Sequence, residues 1–321
     1  MGEFELIRHY FAAAPCAQPS DSVALGIGDD CALLAVPAGE HLAISTDTLV
    51  NGVHFPDAAD PFLLGQRALA VAASDLAAMG ATPIGFTLAL TLPQVSEDWL
   101  KPFAEGLNRM AGHCQMRLIG GDTTRGPLCL TVTVFGSVPA GQALTRSGAK
   151  PGELLCVGGE LGNAAGALPL VLGERFTDAG TAAPLLAHYW SPSPQLPLGI
   201  ALRGKATAAM DISDGLLADC GHIALASGVA LEIDQAALPL SAPLQAFLGR
   251  DGACTAALTG GDDYVLVFSL PAEHLDALQG TGWPISVIGR VVEGQGVTLR
   301  DGQGQDITPN IRGYQHFRET P

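Results

Sequence analysis

Residues 141–152 (GQALTRSGAKPG) constrain the fold more than any other stretch of this chain. The segment is polar and turn-forming, with no apolar periodicity, so it cannot continue a buried helix or strand. On either side lie long stretches that alternate strand-like and helix-like runs. Two domains follow, 1–140 and 141–321, in keeping with a length of 321 residues.

In the first half, residues 3–14 read as a short amphipathic helix ending before Pro15, and 41–46 as a strand running straight into Asp47. Pro61 suits the first turn of a helix that continues through the Ala/Leu-rich 62–79 until Gly80 and Pro83 stop it. Residues 84–92 are β-rich. Ser96, with Glu97 and Asp98 behind it, caps a helix reaching about His113, and 117–119 and 128–138 read as strands. In the second half, strand 154–157 precedes helix 163–172, a proline-rich link at 191–197 and further alternation. Both halves mix the two element types, so the fold class is α/β (α+β) and not all-helical or all-β.

The charge balance narrows function. Asp and Glu number 32 against 16 Lys and Arg, a net charge of −16, which repels a nucleic-acid backbone and excludes nucleic-acid binding. The only lysines are Lys101, Lys150 and Lys205. A phosphate-bearing substrate would need another neutraliser, and divalent metal on carboxylates is the candidate. Seven cysteines without a CxxC pair read as reduced, buried thiols in the cytoplasm. The charged N-terminus is no signal peptide, and no apolar run reaches the roughly 18 residues that span a bilayer.

Six places join small residues to aspartate: GIGDDCALL (Asp29, Asp30), STDTLVNGVHF (Asp47, His54), SDLAAMG (Asp75), GGDTTR (Asp122), DISDGL (Asp211, Asp214) and TGGDDYVLVF (Asp262, Asp263). Each alone reads as an ordinary Asp turn, and Asp214 as a helix cap. Together, with several at strand ends, they suggest converging loops. Asp75 sits among Ala, Val, Leu and Met in a helix, where an unpaired carboxylate is costly. A metal ion would supply its cation, and so would a distant arginine such as Arg67 or Arg125; we favour metal. No GxxxxGK[ST] and no HRD or DFG set is present, which excludes a P-loop or protein-kinase site, and no HExxH spacing supports zinc. VGGELGNAAGAL places glycines before a helix N-terminus, either a possible anion site or a structural turn.

Taken in order with LTRSGAKPG and GYQHF, these motifs resemble the thiamine-monophosphate kinase family of the aminoimidazole ribonucleotide synthetase superfamily, over residues 3–317. The resemblance implies a two-domain aminoimidazole ribonucleotide synthetase-like fold. Its N-terminal domain would join a second copy in a dimeric β-barrel, and a C-terminal α/β domain would complete the active-site cleft. It implies direct in-line transfer from ATP to thiamine monophosphate with several Mg2+ ions, so no side chain is expected as a catalytic acid or base. By motif matching, Asp30, Ser45, Thr46, Asp47, Asp75, Asp122, Asp211 and Asp214 would hold metal. Gly121, Asp122, Arg146 and Ser213 would contact ATP, and His54, Asp262 and Tyr314 thiamine monophosphate. ATP, thiamine monophosphate and a second copy of the chain are thus the implied partners.

Departures from the family pattern are Ser45 for threonine, Asp262 for glutamate, Tyr314 for tryptophan and Phe103 for tyrosine. The sister enzyme aminoimidazole ribonucleotide synthetase is the main rival, and a non-catalytic nucleotide or thiamine-phosphate sensor the other. The full acid set favours catalysis.

Overall fold

A computed structural model describes residues 3–280, 282–310 and 313. Backbone contacts divide the chain into two units. Unit 1 is Met1–Leu76 with Ala81–Ala143, and unit 2 is Ala77–Gly80 with Leu144–Pro321.

Unit 1 opens with helix α1 (Glu3–Leu6), which runs into a π-helical turn at Ile7–Ala12. Strands β1 (Val23–Leu25) and β2 (Leu33–Leu34) pair as a small ribbon. Then come β3 (Glu40–Val50), α2 (Pro61–Ala78), β4 (Thr82–Leu92), α3 (Glu97–Cys114), β5 (Arg117–Arg125) and β6 (Cys129–Pro139). The larger sheet has the order β3-β6-β4-β5, antiparallel except for the β4–β5 pair. Its two faces differ because side chains alternate along each strand. Phe86, Leu88, Leu90, Val132 and Val134 are buried on one face, where Leu76 of α2 approaches Gly136. On the other, exposed threonine hydroxyls pair at 2.9 Å, Thr46 with Thr133 and Thr48 with Thr131.

The four strands form an open sheet, and β3 is an outer strand. The flanking bonds from Asn51 N–H to Leu128 O and from Ala140 N–H to Gly39 O fix its phase. Odd-numbered residues of β3 therefore exchange hydrogen bonds with β6, while Leu42, Ile44, Thr46 and Thr48 turn theirs to the bare edge.

Unit 2 contains β7 (Leu154–Val157), α4 (Asn163–Val171), α5 (Ala179–Trp190), α6 (Leu196–Leu202), β8 (Ala208–Asp211) and α7 (Leu216–Ser227). It continues with β9 (Ala230–Asp234), α8 (Ala242–Thr259), β10 (Leu266–Leu270), α9 (Leu275–Gln279), β11 (Ser286–Val292) and β12 (Gly296–Arg300). The six-stranded sheet has the order β12-β9-β11-β7-β10-β8 and is antiparallel except for β9–β12. Alternate residues such as Leu155, Val157, Met210, Leu231 and Val267 fill a core with Leu216, Cys220 and Ile223 of α7.

Three expectations change. The strand expected to end before Asp47 runs through it to Val50, and the expected GGDTTR loop is the second half of β5. In both, ladder bonds to a neighbouring strand outweigh local turn propensity. Gly121 allows this in β5: its φ is 154°, and an added Cβ would overlap the Leu88 carbonyl of β4. Helix α5 was not anticipated; Asp178 starts it by accepting the Thr181 N–H at 3.1 Å, and Pro184 sits in its second turn. Among the described residues, no helix is long and apolar enough to cross a membrane.

Candidate active site

Strand alternation puts Ser45 and Asp47 on the α2-facing side of β3, where both are half-buried. Ser45 Oγ donates a hydrogen bond to Asp75 Oδ2 from across the α2 interface. Asp75 is half-buried between Ser74 and Leu76, which are fully buried, and no Lys or Arg among the described residues pairs with it. The hydroxyl satisfies one oxygen and leaves the charge uncompensated. Neither Arg67 nor Arg125 takes the role the sequence left open.

Thr46 lies apart from this group. Its side chain is on the threonine face, so only its backbone carbonyl, at the bare edge, remains as a donor to a cation. His54 Nδ1 accepts the Val50 N–H at 3.0 Å, which places the ring proton on Nε2 and makes that nitrogen a donor.

A second group lines a cavity of about 950 Å³ within unit 1, near the upper end of ordinary ligand pockets. Asp30 comes to it from the GIGDDC loop, and Gly121 and Asp122 from β5. Asp29 Oδ1 accepts the Asp30 N–H at 2.9 Å and so holds the turn. Arg8, hidden in what reads as an ordinary amphipathic helix, is the one basic residue among those lining the cavity. Phe103 is fully buried and stacked on Trp99, so that position belongs to the core.

In unit 2, Asp211 ends β8 and is buried. The turn after it leads to Gly215, whose φ of 121° makes it the N-cap of α7; Asp214 caps nothing. Asp219, unremarked in the sequence, reaches back so that its Oδ2 accepts the N–H groups of Ser213, Asp214 and Gly215 at 3.0, 3.1 and 3.1 Å. The Asp262 turn is zipped to the same loop: Asp262 N–H bonds Ser213 O at 2.9 Å and Tyr264 N–H bonds Ile212 O at 2.8 Å. Asp262 has φ 70°, and its Oδ1 accepts the Tyr264 hydroxyl at 3.0 Å. Asp263 accepts the Gly162 N–H on both oxygens, at 3.0 and 2.8 Å. The glycine-led N-terminus of α4, a candidate anion site, is thus occupied by the chain's own Asp263 carboxyl group. Arg146 is exposed, and its carbonyl accepts the Ser227 hydroxyl at 3.1 Å. Tyr314 lies outside the described residues.

Burial pushes the Asp219 carboxyl up to about 7 and the Asp263 carboxyl up to about 8, the charge of neighbouring aspartates adding to each and backbone N–H bonds opposing it. A carboxyl raised in the folded state keeps its proton where the unfolded chain has lost it. Asp263 therefore contributes stability below about pH 4 that is lost as pH rises toward 8. In EDTA, the melting temperature of the natural protein should fall by several degrees relative to Asp263→Asn between pH 5 and 8.5. A difference independent of pH would mean that Asp263 is already ionised throughout.

No three His, Cys, Asp or Glu side chains converge as a preformed metal centre among the described residues. The donors present are carboxylate, hydroxyl and carbonyl oxygens, which suit a hard cation. Magnesium binds through one or two carboxylates, waters and substrate phosphates, not a protein cage, so this donor set fits it.

Residues 28–138 match the model of the AIR synthase related protein N-terminal domain, and 150–302 that of the C-terminal domain. Thiamine-monophosphate kinase of Escherichia coli (strain K12) is 46% identical over 324 residues, covering 98% of each chain. The crystal structure of thiamine-monophosphate kinase from Stenotrophomonas maltophilia K279a is 48% identical, with a TM-score of 0.83 over 87% of this chain and 91% of that one. AaThiL, solved as a complex with AMPPCP and TMP, is 31% identical with a TM-score of 0.80, over 88% and 89% of the two chains. This chain belongs to the AIR synthase related family, and within it to the thiamine-monophosphate kinases.

Proposed function

We propose that this chain phosphorylates thiamine monophosphate to thiamine diphosphate with ATP as donor. The observation that carries the site is Asp75, a half-buried carboxylate that receives a hydroxyl from Ser45 and no basic partner among the described residues. A half-buried carboxylate with a hydroxyl donor and no basic partner suits a cation. We assign magnesium to Asp30, Ser45, Thr46, Asp47, Asp75 and Asp122 in unit 1 and to Asp211 and Asp214 in unit 2, with Thr46 using its carbonyl. When bound, the metal neutralises charge between carboxylates and substrate phosphates.

The remaining work falls to the chain. Gly121 lacks the Cβ that would keep a nucleotide from the β5 backbone, and we assign it to ATP with Asp122, Arg146 and Ser213. We assign His54 to thiamine monophosphate, with Asp262 and Tyr314 as the other contacts. The acceptor phosphate is already an anion near neutral pH, so no general base is required and positioning dominates. Its oxygen forms the new bond to the γ-phosphorus, the bridging bond to the β-phosphate breaks, and the electron pair leaves on ADP. AMPPCP carries a methylene in that bridge, so the AMPPCP and TMP complex of AaThiL supports a donor and acceptor pair of this kind.

The same reading includes a homodimer. The bare edge of β3, with Leu42 and Ile44 exposed, is an unprotected strand that a second copy would cover, extending the open sheet toward a barrel. All seven cysteines are free and five are buried, which supports a reducing, cytoplasmic setting.

Purified protein with ATP and magnesium should release ADP with thiamine monophosphate but not with thiamine or formylglycinamidine ribonucleotide, and EDTA should stop it. Turnover of the ribonucleotide alone would move the chain to the purine branch of the superfamily.

A further inference from the structure

We propose that Asp219 is a positioning residue whose carboxylate sets the orientation of Ser213 and Asp214 for nucleotide binding. The proposal rests on the phosphotransfer reading above.

Three consecutive N–H groups converging on one point form a concavity that ordinarily captures an anion from solution, the more so at a helix N-terminus. Here the acceptor is internal. Asp219 is 1% exposed, and its Oδ2 accepts all three bonds at 3.0 to 3.1 Å. The turn's N–H groups are therefore unavailable to a substrate phosphate. Its other side is committed too, since Ile212 N–H bonds Val265 O at 2.9 Å and the carbonyls of Ile212 and Ser213 accept from Tyr264 and Asp262. With these groups bonded, Ser213 and Asp214 have only their side chains and the Asp214 carbonyl left to reach a ligand.

Asp219 can impose this geometry because its own position is fixed. It stands in the first turn of α7, where Leu216, Leu217, Cys220 and Ile223 are all buried in the unit 2 core. The turn it restrains has a glycine at φ 121°, a conformation with little preference of its own. Without the carboxylate, three N–H donors would lose their acceptor and turn toward solvent, carrying Ser213 and Asp214 with them.

The test compares Asp219→Asn, Asp219→Ala and Asp219→Glu with the natural protein, using Mg·AMPPCP binding by calorimetry and steady-state kinetics. Asn keeps the shape and one acceptor but not the charge. Asp219→Asn should weaken Mg·AMPPCP binding and raise KM for ATP at least tenfold. KM for thiamine monophosphate should stay within about threefold, and the melting temperature within a few degrees. Asp219→Glu should recover part of the loss. A folded Asp219→Asn with unchanged nucleotide affinity would overturn the proposal, as would equal rises in both KM values. If Asp219→Ala does not fold, the Asn and Glu variants still decide. A natural protein inactive on thiamine monophosphate, yet binding Mg·AMPPCP tenfold better than Asp219→Asn, would uphold the role of Asp219 while sinking the acceptor assignment.

Discussion

Asp75→Asn should lower turnover of thiamine monophosphate by about a thousandfold, the upper range for losing one electrostatic contact in a preorganised site, while leaving the fold as stable or more so. The two outcomes come from the same carboxylate. Asp75 lies half-buried in α2 with a single hydroxyl donor, Ser45, and no basic residue among those described to offset its charge. Asparagine keeps an oxygen for Ser45 and removes the charge whose burial is costly. In EDTA its melting temperature should therefore equal or exceed that of the natural protein by a few degrees. With magnesium and AMPPCP, the natural protein should gain thermal stability that the variant lacks, because a ligand stabilises only the state that binds it. A variant that loses many degrees in EDTA yet keeps its activity would make Asp75 a structural residue and remove the main support for the metal assignment.

What could be read from the sequence depended on how local the cause was. The start of α2 at Pro61 and its stop at Gly80 are written in neighbouring residues, and both were legible. The course of β3 through Asp47 was not, because β6, more than eighty residues further along, holds that strand straight. Gly120 and Gly121 beside Asp122 look like a turn until β4 is seen to need a residue without a Cβ there. The acidic residues announced themselves by type and order. Which of them hold the loops, and which are left to meet a ligand, could not be seen. Asp219 looked like an ordinary helical residue because its partners lie in the turn before its own helix, and that turn depends on the φ of Gly215. Asp263 was overshadowed by Asp262, yet it is Asp263 that ties Gly162, a residue 101 positions away. Thr46 is the converse case: its motif places it with Ser45 and Asp47, but strand alternation sends its side chain to the opposite face.

Gly106→Ala should lower the melting temperature by about 10 °C, against the sign that helix propensity alone would give. Alanine favours a helix interior over glycine by about 1 kcal/mol, so a gain is expected wherever the helix stands alone. Gly106 does not stand alone. It faces α2 at a crossing where a Cβ would overlap the Phe62 carbonyl, while Gly65 of α2 meets the Phe103 carbonyl in the same way. The obstruction on each side is backbone, which no change of rotamer can relieve, so α2 and α3 must separate. Separation disturbs Leu64, Leu69, Phe103 and Leu107, all essentially inaccessible to solvent. Overpacking of this kind costs about 3 kcal/mol, and each kcal/mol moves the midpoint of a domain this size by about 2–4 °C. Gly112 is the control within the same helix: it is exposed, nothing lies within 4 Å of its would-be Cβ, and alanine there should raise the midpoint slightly. Opposite shifts at the two positions would locate the effect at the crossing, whereas a loss at both would trace it to α3 itself. Because α2 also carries Asp75 toward Ser45, Gly106→Ala should lose activity well below its melting temperature, while Gly112→Ala keeps it.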